Sequence, residues 1–300
     1  MGSPVLTDRE GTKSIILPLM KRPRAETPEP TPVYDSAQRG LLFVDEALEL
    51  WRFRHLVSEL VSRDIKVRYK RSVIGIAWTM LSPLLNMIAL TFVFSVVLKQ
   101  GIENYPVYFL CGSIFWTFFA QSTGHAASLT VEAMEITKRV HIPRSVFVAS
   151  AVGVGIVNLL LSLVPLLAIV LVLRHPIHAT WLFLPVAIVI GAFFTAGIAL
   201  IVFTMASRFV DVKETYLVLL SPWFFVTPIV YAPSILPEQF RPLVRLNPMT
   251  YMVEIFRAPL YNGWLPGPNT LLFAVVAAIS SLVVGWLFYS AKIEKYSSRV

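Results

Sequence analysis

Six stretches of this chain are each about as long and as apolar as a bilayer core requires, and no other feature constrains its fold as tightly. They cover residues 73–98, 106–129, 146–173, 181–206, 215–232 and 271–291. A helix needs about 20 mainly apolar residues to cross the hydrocarbon. Composition agrees: 56% of the 300 residues are hydrophobic and 15% charged, where soluble domains carry roughly 25% charged residues. Mean hydropathy is +0.67. A single water-soluble globule is excluded. Six spans put both termini on one side, and the bias of Lys and Arg marks that side as cytoplasmic. Thirteen of these residues precede residue 73, and Lys138, Arg139, Arg144, Arg208, Lys213, Lys292, Lys295 and Arg299 join them. The opposite set is Lys99, Arg174, Arg241, Arg245 and Arg257. The expectation is a multi-pass protein of the cytoplasmic (inner) membrane, its net charge of +8 serving a membrane surface and not nucleic acid.

The segments around the spans divide the chain further. Residues 1–40 contain Pro23, Pro28, Pro30 and Pro32 among Glu and Thr, a composition that buries too little apolar surface to order itself. The only early apolar run, 14–20, is broken by Pro18, so no cleavable signal is expected. A disordered cytoplasmic tail is the expectation for 1–40. Over 41–72, Leu50, Phe53, Val57, Leu60, Val61 and Ile65 recur at helical spacing, with Arg52, Arg54, Glu59, Arg63 and Lys66 on other faces. This predicts an amphipathic interface helix, serving either as an anchor or as a lever into the first span. Residues 233–270 are too apolar for a solvated domain, and Pro237 and Pro248 suit the first turns of two short helices while Gly263 suits a stop. Two re-entrant half-helices between spans five and six follow, because non-helical backbone at membrane depth survives only inside protein or beside a watery cavity. Glu254 and Arg257, three apart on one helical face, are placed to pair; an exposed interfacial pair fits the spacing equally. The fold class is thus all-α and polytopic, with six transmembrane helices.

Residues suited to chemistry are sparse. Nucleotide hydrolysis needs a glycine-rich phosphate loop, and Gly11-Thr12-Lys13-Ser14 lacks its glycines. The acidic pair Asp45-Glu46 behind an apolar run fits a helix entry with Asp45 as N-cap. One cysteine, Cys111, leaves no disulfide framework or thiolate metal site. His175 and His178 form the only close histidine pair, in a short loop without the three or four converging ligands that zinc requires. The acids near the spans form no close cluster, which disfavours a membrane enzyme, and the span centres lack the ionisable residues of an ion-coupled carrier. Neither a catalytic residue nor a metal site is assigned. The spans are instead rich in aromatics. Most are expected to face lipid, while Trp78, Phe92, Trp116, Phe224, Phe225 and Tyr231 are candidates for a substrate channel in which ring faces pack on sugars.

The run Val67-Arg68-Tyr69-Lys70-Arg71-Ser72 continuing through Gly75 and Trp78 to Pro83 resembles the entry to the first span in ABC type-2 polysaccharide export permeases, the Wzm and TagG group. Three more stretches agree in order and position: Ile136 to Arg144, Ser221-Pro222 to Tyr231, and Leu246 to Thr250 with Glu254 and Arg257. Together they span about residues 45–295. The resemblance implies an ABC type-2 transmembrane domain over 73–300. It also implies a homodimer enclosing a channel, docked to two copies of a separate ABC ATPase subunit that binds ATP and Mg, with no cofactor bound by this chain. Glu132, Glu135, Lys138, Arg139, His141, Pro143 and Arg144 would form the ATPase-coupling helix. Arg68, Lys70 and Arg71 lie where the headgroup of an undecaprenyl-diphosphate-linked glycan would approach, although retention of basic residues on the inner side accounts for them as well. The expected function is ATP-driven export of a lipid-linked polysaccharide or teichoic acid-like polymer. Export of drugs or small lipids is the alternative on the same fold.

Overall fold

The segment Tyr105–Ser128 carries apolar or small residues over most of its surface, and a helix of that kind has little to give to water and sits inside its fold. It does so here. In the computed structural model, which describes residues 50–70, 77–97, 101–140 and 142–297, every element among the described residues is helical. In chain order they are α1 (Arg54–Tyr69), α2 (Ala77–Thr91) with a π-helical turn Phe92–Val97, α3 (Tyr105–Ser128), α4 (Thr130–Thr137) and α5 (Ser145–Val172). A 3₁₀ turn Ala179–Phe183 then leads into α6 (Leu184–Ala206), followed by α7 (Asp211–Val226), α8 (Arg241–Leu246), α9 (Pro248–Arg257) with a π turn Ala258–Asn262, and α10 (Pro268–Ser297). Helix α3 is the hub, packed against α2, α5, α6, α7 and α9. Its rings Phe109, Phe115, Phe118 and Phe119 form the core and do not face lipid.

Among the described residues three helical segments, Ser145–Val172, Ala179–Ala206 and Pro268–Ala291, are long and apolar enough to cross a membrane. They turn apolar side chains outward: Leu160, Val164, Leu167 and Leu171 on α5, and Leu272, Val276, Ile279 and Val283 on α10. Exposed apolar bands of this length are foreign to a monomer in water and suited to lipid. The other expected spans also coincide in good part with helix, and the described residues are all helical, with apolar helices that fit a polytopic membrane protein. The tail 1–40, residues 41–49 and residues 71–72 lie outside the described residues.

Three expectations need correction. The apolar face of α1 is as read from its spacing, with Leu60 buried and Val57, Val61 and Ile65 turned inward, but it rests on α5 and not on lipid alone. Val61 sits directly over Gly153, where a side chain would collide with it. The fifth apolar stretch does not stay helical to residue 232, because Thr227 is extended (ψ 134), as the residue before a proline prefers. Helix α7 is therefore 16 residues long, about 24 Å, and Pro228–Val230 continue as buried irregular backbone. The first half-helix is broken into 3₁₀ turns at Pro233–Ile235 and Glu238–Phe240 followed by the six-residue α8. The second starts at Pro248 as expected, its N-cap Asn247 accepting from the Met249 amide, and stops at Gly263, whose φ of 76° only glycine adopts readily.

Helices α6 and α10 make the most extensive contact in the fold. Gly197 and Gly285 face one another's backbones, so that a Cβ on Gly197 would strike the Ser281 carbonyl and one on Gly285 would strike Gly197 itself. Close backbone approach through small residues is how helices associate where water provides no drive. Ser281 Oγ adds a hydrogen bond to the Phe194 carbonyl at 3.1 Å. Gly197→Ala and Gly285→Ala should each cost about 1–3 kcal/mol through forced separation, lowering the thermal midpoint of the purified chain in detergent. Gly267→Ala, with no atom nearer than 4.0 Å, should leave it unchanged.

Candidate functional site

Irregular backbone after α7 creates a local problem: the carbonyls of residues 228–231 have no helical partner, and buried polar groups left unsatisfied are costly. Each is met by a side chain. Arg257 Nη1 donates to the Pro228 carbonyl (2.9 Å) and Nη2 to that of Ile229 (3.2 Å). Tyr105 Oη donates to the Val230 carbonyl (2.8 Å) and Tyr108 Oη to that of Tyr231 (2.9 Å). Arg257 Nη1 also donates to Tyr108 Oη at 2.8 Å, and the guanidinium carbon lies 3.9 Å from the centre of the Tyr108 ring. The guanidinium is 2% exposed and is admitted by Gly112, where any side chain would collide with it. The expected Glu254–Arg257 pair does not form among the described residues: Arg257 points from α9 into α3, and its charge is met by carbonyl dipoles and a ring face. Helical spacing made the pair possible, and partners distant in sequence displaced it.

The same region carries a polar link at the start of α9. Asn247 Oδ1 accepts from Trp223 Nε1 (3.0 Å) as well as from the Met249 amide, while its Nδ2 donates to Thr227 Oγ1 (2.9 Å). Trp223 in turn meets Trp116 edge-on at 6.0 Å, and Trp116 meets Phe224 at 5.6 Å. Of the candidate channel residues, Trp116 is thus buried in an aromatic cluster and Phe224 is half-buried beside it. Phe92 (61%) and Phe225 (63%) stand exposed on α2's π turn and on α7, both helices that flank α3. Tyr231 is half-buried and donates to the Phe225 carbonyl at 3.1 Å. The backbone of Trp78 lies in α2, and its side chain is outside the described residues.

One strip of α3 remains accessible between its neighbours, and it is polar: Thr117, Gln121, His125 and Ser128, spaced to share one face. Asn158 of α5 donates to Gln121 Oε1 at 3.4 Å. The sequence carries the period of about four residues that marks this strip, amid a greater number of aromatics. At its end, α1 and α4 are tied together: Arg63 binds Glu132 at 2.6 Å and Asp64 at 2.8 Å, and Asp64 lies 3.6 Å from His125 Nε2. Burial works against the Arg63 cation, but the hydrogen bonds to Asp64 and Glu132 outweigh it and raise its pKa. Glu132 is therefore turned toward α1, whereas Glu135, Lys138 and Arg139 are exposed at and beyond the end of α4. Pro143 and Arg144 are half-buried at the entry to α5, and His141 lies outside the described residues. Arg68 and Lys70 are exposed at the end of α1; Arg71 is outside the described residues.

At the other end of α3 the two loop histidines are structural. His175 Nε2 lies 2.9 Å from the Tyr261 carbonyl, Nδ1 lies 3.2 Å from Asn104 Nδ2, and the ring stacks on Tyr261 at 5.4 Å. His178 packs over Gly263, and Thr180 Oγ1 donates to the Pro259 carbonyl. The α5–α6 loop thereby clasps the end of the segment that begins at α9.

Residues 55–261 match the ABC-2 type transporter family. An O-antigen export system permease protein, RfbA, of Myxococcus xanthus is 31% identical over 256 residues, covering 84% of this chain and 98% of that protein. RfbA of Klebsiella pneumoniae is 30% identical over 211 residues, 70% of this chain and 82% of the relative. The polysialic acid transport protein KpsM of Escherichia coli is 20% identical over 241 residues, 79% of this chain and 93% of the relative.

Replacing Arg257 by Met removes the donors of two buried carbonyls, each worth about 1–3 kcal/mol when left unsatisfied. Arg257→Met should lower the thermal midpoint in detergent more than Tyr105→Phe, which removes one donor. A variant at 257 as stable as the parent would mean that the 228–231 backbone is satisfied by other groups.

Proposed function

The chain belongs to the ABC-2 type transporter family, and from that premise we propose that it is the transmembrane subunit of an ATP-driven exporter of a lipid-linked polysaccharide. The observation that carries this reading is the 31% identity to an O-antigen export permease across 98% of that relative. ATP and Mg bind on a separate ATPase subunit, and two copies of this chain enclose the path. In the proposed arrangement of six spans with both termini cytoplasmic, α4 lies on the ATPase side and the α8–α9 segment in the outer leaflet.

Several features support such a path. Helices α2 and α7 flank α3 and expose Leu85, Ile88, Phe92, Val218 and Phe225, an apolar surface suited to a second copy or to lipid. The accessible Thr117–Gln121–His125–Ser128 strip of α3 offers hydrogen bonds to sugar hydroxyls, and Phe92 and Phe225 offer exposed ring faces. Glu135, Lys138 and Arg139 give the ATPase an exposed charged docking element. The Arg63–Glu132 pair joins that element to α1, so that movement of α4 is passed to the helix entering the first span. An undecaprenyl-diphosphate-linked glycan would approach at Arg68, Lys70 and Arg71 from the cytoplasmic leaflet.

The test is ATP hydrolysis by the chain reconstituted with its ATPase subunit, with and without lipid-linked glycan. Stimulation by the glycan lipid is expected; a complex that responds only to small amphiphiles would overturn the substrate class. Lys138→Ala with Arg139→Ala should abolish the stimulation while membrane insertion stays intact. Normal export by that double variant would remove the docking role.

A further inference from the structure

Basic residues are sparse on the side opposite the termini, yet three of the five there, Arg241, Arg245 and Arg257, fall in one segment. Arg257 is accounted for by the carbonyls it binds. The other two line a surface cavity of about 220 Å³ bounded by Pro233, Ser234, Leu236, Arg241, Val244 and Arg245. Arg241 is held in place by the Leu236 carbonyl, to which its Nε donates at 3.3 Å, and lies 3.5 Å from Glu238. That carboxylate is 90% exposed and so neutralises little of the charge. Arg245 follows one helical turn later, its backbone position secured by Tyr251 Oη on its carbonyl (2.9 Å). Its guanidinium has no hydrogen-bond or ion-pair partner among the described residues.

The residues interleaved in sequence with this lining distinguish it from an ordinary anion site in water. Ile235, Phe240, Leu243 and Leu246 are exposed around the two arginines, Leu246 by 82%. A short amphipathic element with apolar side chains directed outward and guanidinium groups at the polar boundary lies in the membrane interface. Guanidinium suits phosphate oxygens, which it binds with paired donors, and Ser234 adds a hydroxyl. A free phosphate would gain nothing from the apolar collar; a lipid phosphate would gain from both.

We propose that the Arg241–Arg245 cavity holds the diphosphate headgroup of a polyprenyl lipid in the outer leaflet, receiving it after translocation. The proposal rests on the exporter reading for its side of the membrane and its ligand. Two arginines offer the charge that a diphosphate requires, and the exposed apolar residues of the same segment offer a lipid chain its contacts.

Hydrogen–deuterium exchange of the full chain in phosphatidylcholine nanodiscs tests this site separately from Arg68, Lys70 and Arg71, because it reads residues 233–246 directly. Undecaprenyl diphosphate should slow exchange there about fivefold. The effect should be absent in Arg241→Gln/Arg245→Gln and present in Arg241→Lys/Arg245→Lys, which keeps the charge. Unchanged exchange in the parent chain, or equal slowing in the Gln variant, would overturn the site. Equal slowing by inorganic diphosphate would overturn the lipid requirement, and equal slowing by phosphatidylglycerol would overturn the selectivity for diphosphate. Stimulated ATP hydrolysis without slowing at 233–246 would overturn this site alone. Slowing without any stimulation by glycan lipid would leave the site and overturn the exporter reading.

Discussion

Four consecutive carbonyls, at Pro228, Ile229, Val230 and Tyr231, are left open where α7 ends, and the arrangement of this end of the bundle follows from how they are closed. In an apolar surrounding an unmade hydrogen bond is expensive, so the chain must bring donors to that point. It brings Arg257 from α9 and Tyr105 and Tyr108 from α3. Three elements thereby become one unit: α7 cannot shift along α3, nor α9 withdraw from it, without breaking bonds to buried backbone. The absence of a side chain at Gly112 is part of the same constraint, because the guanidinium occupies that space.

Around this unit the bundle is organised by what α3 leaves uncovered. A helix buried on nearly all sides transmits displacement at one end to its neighbours at the other, because a packed interior does not deform gradually. At one end of α3 the Arg63, Asp64, His125 and Glu132 side chains join α1 and α4. At the other, the loop carrying His175 and His178 is clasped to the segment running from α9 to Gly263. Between the two ends lies the polar strip from Thr117 to Ser128. The clasp at one end, the polar strip and the α1–α4 tie at the other thus all lie along a single helix.

Much of this was legible locally. The inward face of α1 followed from the spacing of Leu50, Phe53, Val57, Leu60, Val61 and Ile65. The start of α9 followed from Asn247-Pro248 and its end from Gly263, since caps and stops depend on residues a few positions apart. Other features were not legible. The spacing of Glu254 and Arg257 satisfied the rule for a helical pair, yet Arg257 bonds Tyr108, 149 positions away. The fifth apolar stretch looked long enough to cross as helix, because hydropathy does not register that Pro228 breaks it. Most aromatics of the spans were expected at lipid, yet Phe109, Phe115, Phe118 and Phe119 are buried in protein, and composition does not distinguish the two apolar surroundings.

By itself, then, the sequence determined the number of apolar segments, their bias in basic residues, the amphipathic face of α1 and the caps of α9. Each of these is set by periodicity or by neighbours within one or two helical turns. Only the tertiary structure decided which helix would be central, that Arg257 would serve backbone carbonyls and not a carboxylate, and that Arg241 and Arg245 would share a cavity while Arg257 did not. Those outcomes depend on buried polar groups finding partners across the fold, a requirement that is felt only once the segments are packed together.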